Sequence, residues 1–346
     1  MIRKIKISNR YISDESPIFI IAEAGVNHNG DLQTALKLID AAVFAGADAI
    51  KFQTFKAEDV VTCTGKMAKY QKNNIGKAGS QLEMLKKIEL PENFYSQLIE
   101  YCKKNKIIFL STPHGGFKSV DLLLKFNISA FKFGSGDLTN LPLLGYAAKF
   151  NKPMILGTGM ATLAEIRTAI NIINKTGNNQ IIALHCTTNY PCPLNEVNLR
   201  AMLTIKQKLK VLVGYSDHTN GIQVPVMAAT QGACLIEKHF TLDKKMEGPD
   251  HKASLEPDEL KEMIDSIKNV PIILGSEIKK PNASELSMIK TVRKSIIAAK
   301  NIKKGEIFDE QNISIKRPGN GMSPSAWDKV LGKRAKKDFN IDELIN

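Results

Sequence analysis

Two histidines close short apolar runs of this 346-residue chain, His218 in YSDHT and His239 in EKHFT, each with a carboxylate beside it, Asp217 and Glu237. A lone core histidine usually does no more than satisfy its own hydrogen bonds. Two at matching depth on neighbouring strands could share one divalent cation of the Mn2+ or Mg2+ type, with water and substrate oxygens completing its shell. Two lysines, Lys51 and Lys132, also stand inside otherwise apolar runs, where an ammonium must meet an anion or lose its charge. One of them could snorkel out of a strand end; two point to a phosphate or carboxylate, and a Schiff base with a carbonyl substrate is open to them as well. Hydroxyls at Thr112, Ser135, Thr158, Thr188 and Ser216, with the backbone of the GSG and GTG turns, could donate to the same anion. Glu23 and Asp137 are candidates for holding a polar substrate and moving protons. Any one of these residues could merely cap a helix or satisfy a turn. As a set they describe a site that polarises a carbonyl beside a phosphorylated co-substrate.

Eight short β-rich runs would have to position these groups: 18–25, 49–54, 107–113, 130–137, 153–160, 180–188, 211–218 and 234–241. Stretches of helical periodicity lie between them, among them 32–44, 94–102, 163–173 and 257–267. Strict alternation of this kind predicts parallel strands, and eight is the number that closes a barrel. The polar residues fall at the C-terminal ends of all eight runs, as in AEAGVNHNG, KFQT, STPH, KFGSGD, GTGM, HCTTNY, SDHT and EKHFT. That end of a (β/α)8 (TIM) barrel is its active-site face. The expected organisation is an α/β barrel over 1–270, a linker of Gly, Pro, Ser and Lys over 271–285, and a small domain of short strands and turns over 286–346.

The 48 basic and 35 acidic residues give a net charge of +13, but no helix-turn-helix, RRM or zinc-finger pattern accompanies it. No nucleic-acid partner is expected; a basic surface that attracts small anions is sufficient. Runs such as Lys303-Lys304 and the lysines from Lys333 to Lys337 read as solvated faces. With 43% apolar and 24% charged residues the chain is composed like a globular protein with a sizeable core. The basic N-terminus lacks a following apolar stretch and IFIIA is too short to span a bilayer, so a cytoplasmic location and no membrane association are expected. Five cysteines without a CxxC pair suggest buried reduced thiols.

The strings IIAEAGVNHNGD, AIKFQTFKAEDV, FLSTP, AFKFGSGDLTNLPLL, LHCTTNYPCP, VGYSDHT, IEKHFTLDKKMEGPDHKASLEPDEL and IKRPGNGMSP together resemble the bacterial N-acetylneuraminate and legionaminate synthases, from about Ile18 onward. The tail is similar to the SAF (antifreeze-like) domain of those enzymes. The resemblance implies a condensation of phosphoenolpyruvate, a mannosamine-type aldehyde and water to a nine-carbon 2-keto sugar acid and phosphate, with C–O cleavage and no Schiff base. It implies a divalent metal on His218 and His239, and phosphoenolpyruvate contacts from Lys51, Thr112, Lys132, Ser135 and Ser216, with Thr188 in the phosphate site. Glu23, Gln53, Asp137, Tyr190 and Asp250 would line the sugar side or assist proton transfer. Arg317 of KRPGNG matches an arginine that reaches the sugar's N-acyl group in the barrel of a partner subunit, which implies a domain-swapped homodimer. The sequence departs from the family pattern at Asp137 (many sialate synthases have Glu), Thr188 (some have Asn), Gly157 (often Ser) and His114 (usually Phe). N-acetylmannosamine, giving N-acetylneuraminate, is the first expectation for the sugar, and 2,4-diacetamido-2,4,6-trideoxymannose, giving legionaminate, the second. A non-catalytic sugar- or ice-binding protein would show a decayed site, against the intact His218, His239, Lys51 and Lys132; a Schiff-base aldolase acting on pyruvate is the other rival.

Overall fold

The computed structural model describes residues 3–68, 71–72, 74 and 79–346. The chain divides after Gly275 into two compact units. The first opens with an antiparallel hairpin, β1 (Ile5–Ile7) and β2 (Arg10–Ile12). Eight parallel strands follow: β3 (Phe19–Gly25), β4 (Ala49–Thr54), β5 (Ile108–Pro113), β6 (Phe131–Phe133), β7 (Met154–Gly157), β8 (Ile181–His185), β9 (Leu212–Asp217) and β10 (Leu235–His239). They pair in the order β5-β4-β3-β10-β9-β8-β7-β6, and β5 and β6 lie side by side at the seam. Each falls within one of the eight runs expected from sequence. This is the (β/α)8 barrel.

Helices return the chain between strands, and their ends are written in the sequence. Asp31 accepts the Thr34 N–H to start the helix Leu32–Ala45, and Gly46 ends it at a φ of 81°, a left-handed turn that glycine adopts without a Cβ penalty. Thr162 and Glu165 form a reciprocal capping box at Leu163–Lys175. Residues on the outward face of the strands, such as Ile20, Phe52 and Leu156, pack against the apolar stripes of these helices, for example Leu38, Leu98 and Ile170.

The inward face carries a second apolar layer: Phe19, Ile21, Ala49, Leu110, Ala130, Ile155, Ile182, Leu212 and Leu235. Ile5, Ile7 and Ile12 of the hairpin complete this layer and are fully buried. The hairpin thus stoppers the N-terminal end of the barrel. Its three-residue strands are too short to announce themselves by periodicity, and no element was expected there.

The stretch expected as linker, 271–285, contains the end of one helix, Pro257–Leu274, and the start of another, Ala283–Val292. In the second unit β11 (Ser295–Ala298) and β12 (Ile313–Lys316) pair antiparallel over a small core of Ile296, Ile302, Phe308, Ile313, Val330, Phe339 and Ile345. Among the described residues no helix is long and apolar enough to cross a membrane. All five cysteines are free thiols; Cys63, contrary to expectation, is exposed, and the other four are buried.

Candidate active site

Side chains alternate along a strand, so residues two apart share a face. On β9 and its exit this puts Ser216 and His218 inside the barrel, and on β10 it puts Glu237 and His239 there. Asp217 and Lys238 fall between them and face the other way. They form a fully buried ion pair of 2.5 Å, in which Lys238 also donates to the Thr219 carbonyl. Of the two carboxylates flanking the histidines, Glu237 therefore belongs to the site and Asp217 does not.

A cavity of about 260 Å³ opens at the C-terminal ends of the strands. Twelve of the fifteen residues singled out from the sequence line it: Glu23, Lys51, Gln53, Thr112, Lys132, Ser135, Thr188, Tyr190, Ser216, His218, His239 and Asp250. Glu237, not singled out for the site, holds its centre. Lys132 Nζ lies 3.1 Å and Lys51 Nζ 3.8 Å from its two oxygens, and Ser216 donates to it at 3.0 Å. Lys51 also pairs with Glu23 at 2.5 Å and donates to Thr112 at 3.1 Å. Gln53 donates to the other Glu23 oxygen at 3.4 Å.

Burial alone would raise both carboxylates. At Glu237 the fields of Lys132 and Lys51 outweigh it and bring the pKa down to about 2. At Glu23 burial wins over Lys51, and the pKa rises to about 7. Lys132, although buried, is held above its ordinary value by Glu237 and Glu23. Two ammoniums thus face one firmly ionised carboxylate and one that is readily protonated. Glu237 Oε2 is buried without a hydrogen-bond partner. The centre is short of negative charge, which is the electrostatic condition for receiving an anion.

Beside it stand the imidazoles. His218 Nδ1 is 2.7 Å from the Thr187 carbonyl and must donate to it, which leaves a lone pair on Nε2. Its ring lies 5.6 Å from that of His239, and Tyr190 packs on His218 at 4.1 Å. Burial lowers His218 to about 4 and His239 well below its ordinary value, so both rings are neutral, the form that ligates metals. His239 Nδ1 is buried and unpartnered. Among the described residues no cluster of three or more His, Cys, Asp or Glu side chains converges as a metal cage. The donor set fits a divalent cation held by two imidazoles, with its other positions left to oxygen ligands.

Other expectations are corrected. Thr158 spends its hydroxyl on the Leu184 carbonyl at 2.9 Å and does not line the cavity. The GTG turn does not offer its Gly159 N–H to a ligand; it donates to Ser135 Oγ at 2.9 Å and approaches Cys186. A Cβ at Gly159 would sit 2.2 Å from Thr188 Oγ1, so only glycine permits this packing. Asp137 does not line the cavity: it lies on the 3-10 turn Ser135–Asp137 after β6, and its Oδ2 is 3.4 Å from Nδ1 of His114, which does line it. Arg317, expected in the barrel of a partner subunit and so outside a single chain's cavity, is an exposed residue of the second unit that donates from Nε to the Val292 carbonyl.

The NHN turn after β3 is structural. Asn27 donates to Phe240 O and Ser254 Oγ, Asn29 donates to Glu247 O, and His251 hydrogen-bonds Thr241 at 2.7 Å. These bonds fasten the loop after β3 to the loop after β10, which carries Asp250 into the cavity wall. Burial raises the Asp250 carboxyl to about 6. Val60, Met84, Leu85 and Ile88, all from the excursion between β4 and β5, line one wall of the cavity together with the amides Gln71 and Gln81.

Comparison with known proteins places this arrangement. Residues 38–279 match the NeuB family and residues 293–346 the SAF domain. The chain is 52% identical to the N,N'-diacetyllegionaminic acid synthase of Campylobacter jejuni, covering 94% of this chain and 98% of that one. It is 44% identical to the enzyme of the same name from Legionella pneumophila, over 98% of both chains. The crystal structure of the N-acetylneuraminic acid synthetase of Leptospira borgpetersenii superposes with a TM-score of 0.73 at 35% identity, covering 84% of this chain and 96% of that one. With the matched barrel, the SAF tail and relatives aligned end to end, the chain belongs to the NeuB family, the nonulosonate synthases.

Proposed function

We propose that the chain condenses phosphoenolpyruvate with the open-chain aldehyde of an acylated aminosugar, of the 2,4-diacetamido-2,4,6-trideoxymannose class, to a legionaminate-type acid and phosphate. The observation that carries the reaction class is the pair Lys51 and Lys132 around a single firmly ionised carboxylate. Lys51 and Lys132, with hydroxyls from Thr112, Ser135 and Ser216, would hold the phosphate and carboxylate of phosphoenolpyruvate by preorganised charge. Both lysines already have carboxylate partners, an arrangement suited to binding anions and not to presenting a free amine for a Schiff base. Glu23, with a pKa near the working pH, can exchange a proton with water or with the sugar oxygen.

His218 and His239 would hold a divalent metal, Mn2+ or Mg2+, which when bound polarises the sugar aldehyde. In the proposed condensation C3 of phosphoenolpyruvate attacks the aldehyde carbon, water adds at C2, and phosphate leaves by C–O cleavage, with Lys51 and Lys132 holding the anionic groups in place. Val60, Met84, Leu85 and Ile88 offer apolar surface for acyl methyl groups, and Gln71 and Gln81 beside them offer partners for amide or hydroxyl groups of the sugar. Identity to two legionaminate enzymes supports the diacetamido sugar over N-acetylmannosamine, the first expectation on sequence alone. The SAF unit would bring Arg317 to the sugar's acyl group in a domain-swapped homodimer, and a cytoplasmic setting, where phosphoenolpyruvate is made, accompanies this reading.

The test is phosphate release by purified protein with Mn2+. Release should require the sugar, stop in chelator and give a higher kcat/KM for the diacetamido sugar. Full turnover in chelator refutes the metal role, and phosphate release without sugar refutes the condensation. Borohydride trapping of a pyruvate adduct would instead support an aldolase.

A further inference from the structure

Asp137 was expected in the cavity, yet His114 is the residue that reaches it. We propose that His114 is a specificity-determining residue that binds an N–H or O–H donor on the outer end of the sugar, and that Asp137 is its positioning residue. This rests on the synthase reading above.

The inner polar groups of the cavity are committed to one another: Lys51 to Glu23 and Thr112, Lys132 and Ser216 to Glu237. His114 stands two residues beyond Thr112, where Pro113 ends β5, and so lies farther toward the mouth. Its side chain is 34% exposed, whereas that of Asp137 is 15% exposed. His114 Nδ1 lies 3.4 Å from Asp137 Oδ2, so the neutral tautomer that this pairing selects carries its proton on Nδ1. In that neutral tautomer Nε2 keeps its lone pair and is the acceptor. Asn140 donates to the second Asp137 oxygen at 3.4 Å, and Phe55 meets the His114 ring edge-on at 6.2 Å, so both carboxylate and ring plane are held. An oriented acceptor at the mouth of a cavity whose wall combines Met84, Leu85 and Ile88 with the amides Gln71 and Gln81 matches a sugar that presents an amide N–H or hydroxyl beside acyl methyl groups. A site built to pair with such a donor rejects sugars that lack it more strongly than an apolar pocket can.

The experiment compares wild type, His114→Phe, His114→Gln, Asp137→Asn and the double variant His114→Phe/Asp137→Asn. Affinity for 2,4-diacetamido-2,4,6-trideoxymannose is read by calorimetry, and KM and kcat by phosphate release. His114→Phe should weaken sugar affinity about tenfold or more while the KM for phosphoenolpyruvate stays at the wild-type value. His114→Gln, whose amide oxygen can accept, should recover part of the loss. Asp137→Asn should weaken the sugar in wild-type background and have no further effect once His114 is Phe, because it acts only through that ring. Unchanged sugar affinity in His114→Phe overturns the proposal, and additive losses in the double variant overturn the positioning role of Asp137. Wild type that binds the sugar but releases no phosphate fails the synthase reading alone, while wild type that binds neither diacetamido sugar nor N-acetylmannosamine overturns both.

Discussion

Among single residues, Glu237 organises the charge of the site, because both lysines and Ser216 converge on it. Lys132→Met should lower kcat/KM for phosphoenolpyruvate about 100-fold or more, since a preorganised charge on the phosphate is lost. It should also lower Tm, because Glu237 keeps only the more distant Lys51. Adding Glu237→Gln should restore Tm but not activity, and recovery of activity in that double variant would refute the phosphate role. Period two along β9 and β10 was enough to foresee that Ser216, His218 and His239 share one face. The same rule places Glu237 with His239, a signal present in the sequence but not used. Asp137 was misjudged for a physical reason: it lies beyond the end of β6 in a 3-10 turn, where strand alternation no longer says which way a side chain faces.

Among elements, the barrel was legible because eight runs with polar C-terminal ends recur between helical segments. The hairpin was not, because two strands of three residues carry too little pattern. Its energetic role is large for its size. Ile12→Ala would open a cavity in a layer with no exposed residue to relax into, at a cost of about 2 to 4 kcal/mol, read as a drop in urea midpoint with little change in KM. The joined loops after β3 and β10 predict an acid sensitivity. Burial lowers both His28 and His251 to about 4, whereas an unfolded chain protonates them near 6.5. The stability due to their neutral forms is complete above pH 6.5 and lost as pH falls toward 4. Between pH 7 and 5 each should cost roughly 1 to 2 kcal/mol, seen as a falling Tm, and a His251→Gln protein should show a shallower fall. An unchanged slope would remove His251 from this account.

At the scale of the whole chain, two units with separate cores match the length of the known relatives, and the role of Arg317 rests on the resemblance alone. A domain-swapped dimer makes a distinctive forecast. Arg317→Ala and Lys132→Met homodimers should each be impaired, but co-expressed they should form hybrids in which one barrel keeps its own Lys132 and meets an intact Arg317 of the partner subunit. Activity regained on mixing supports exchange; no regain means that the arginine serves its own chain or neither. The hairpin stopper has a kinetic consequence at this scale. With the floor of the barrel sealed by Ile5, Ile7 and Ile12, reactants can enter and leave only through the mouth. Lys51 and Lys132 lie deep and His114 lies outside them, so on the proposed roles a sugar that arrives second shuts phosphoenolpyruvate in and one that arrives first keeps it out. Productive binding should therefore be ordered, phosphoenolpyruvate first and sugar last, and a dead-end sugar analogue that occupies the free enzyme should block the way in and raise the apparent KM for phosphoenolpyruvate. A barrel stoppered at one end works as a queue.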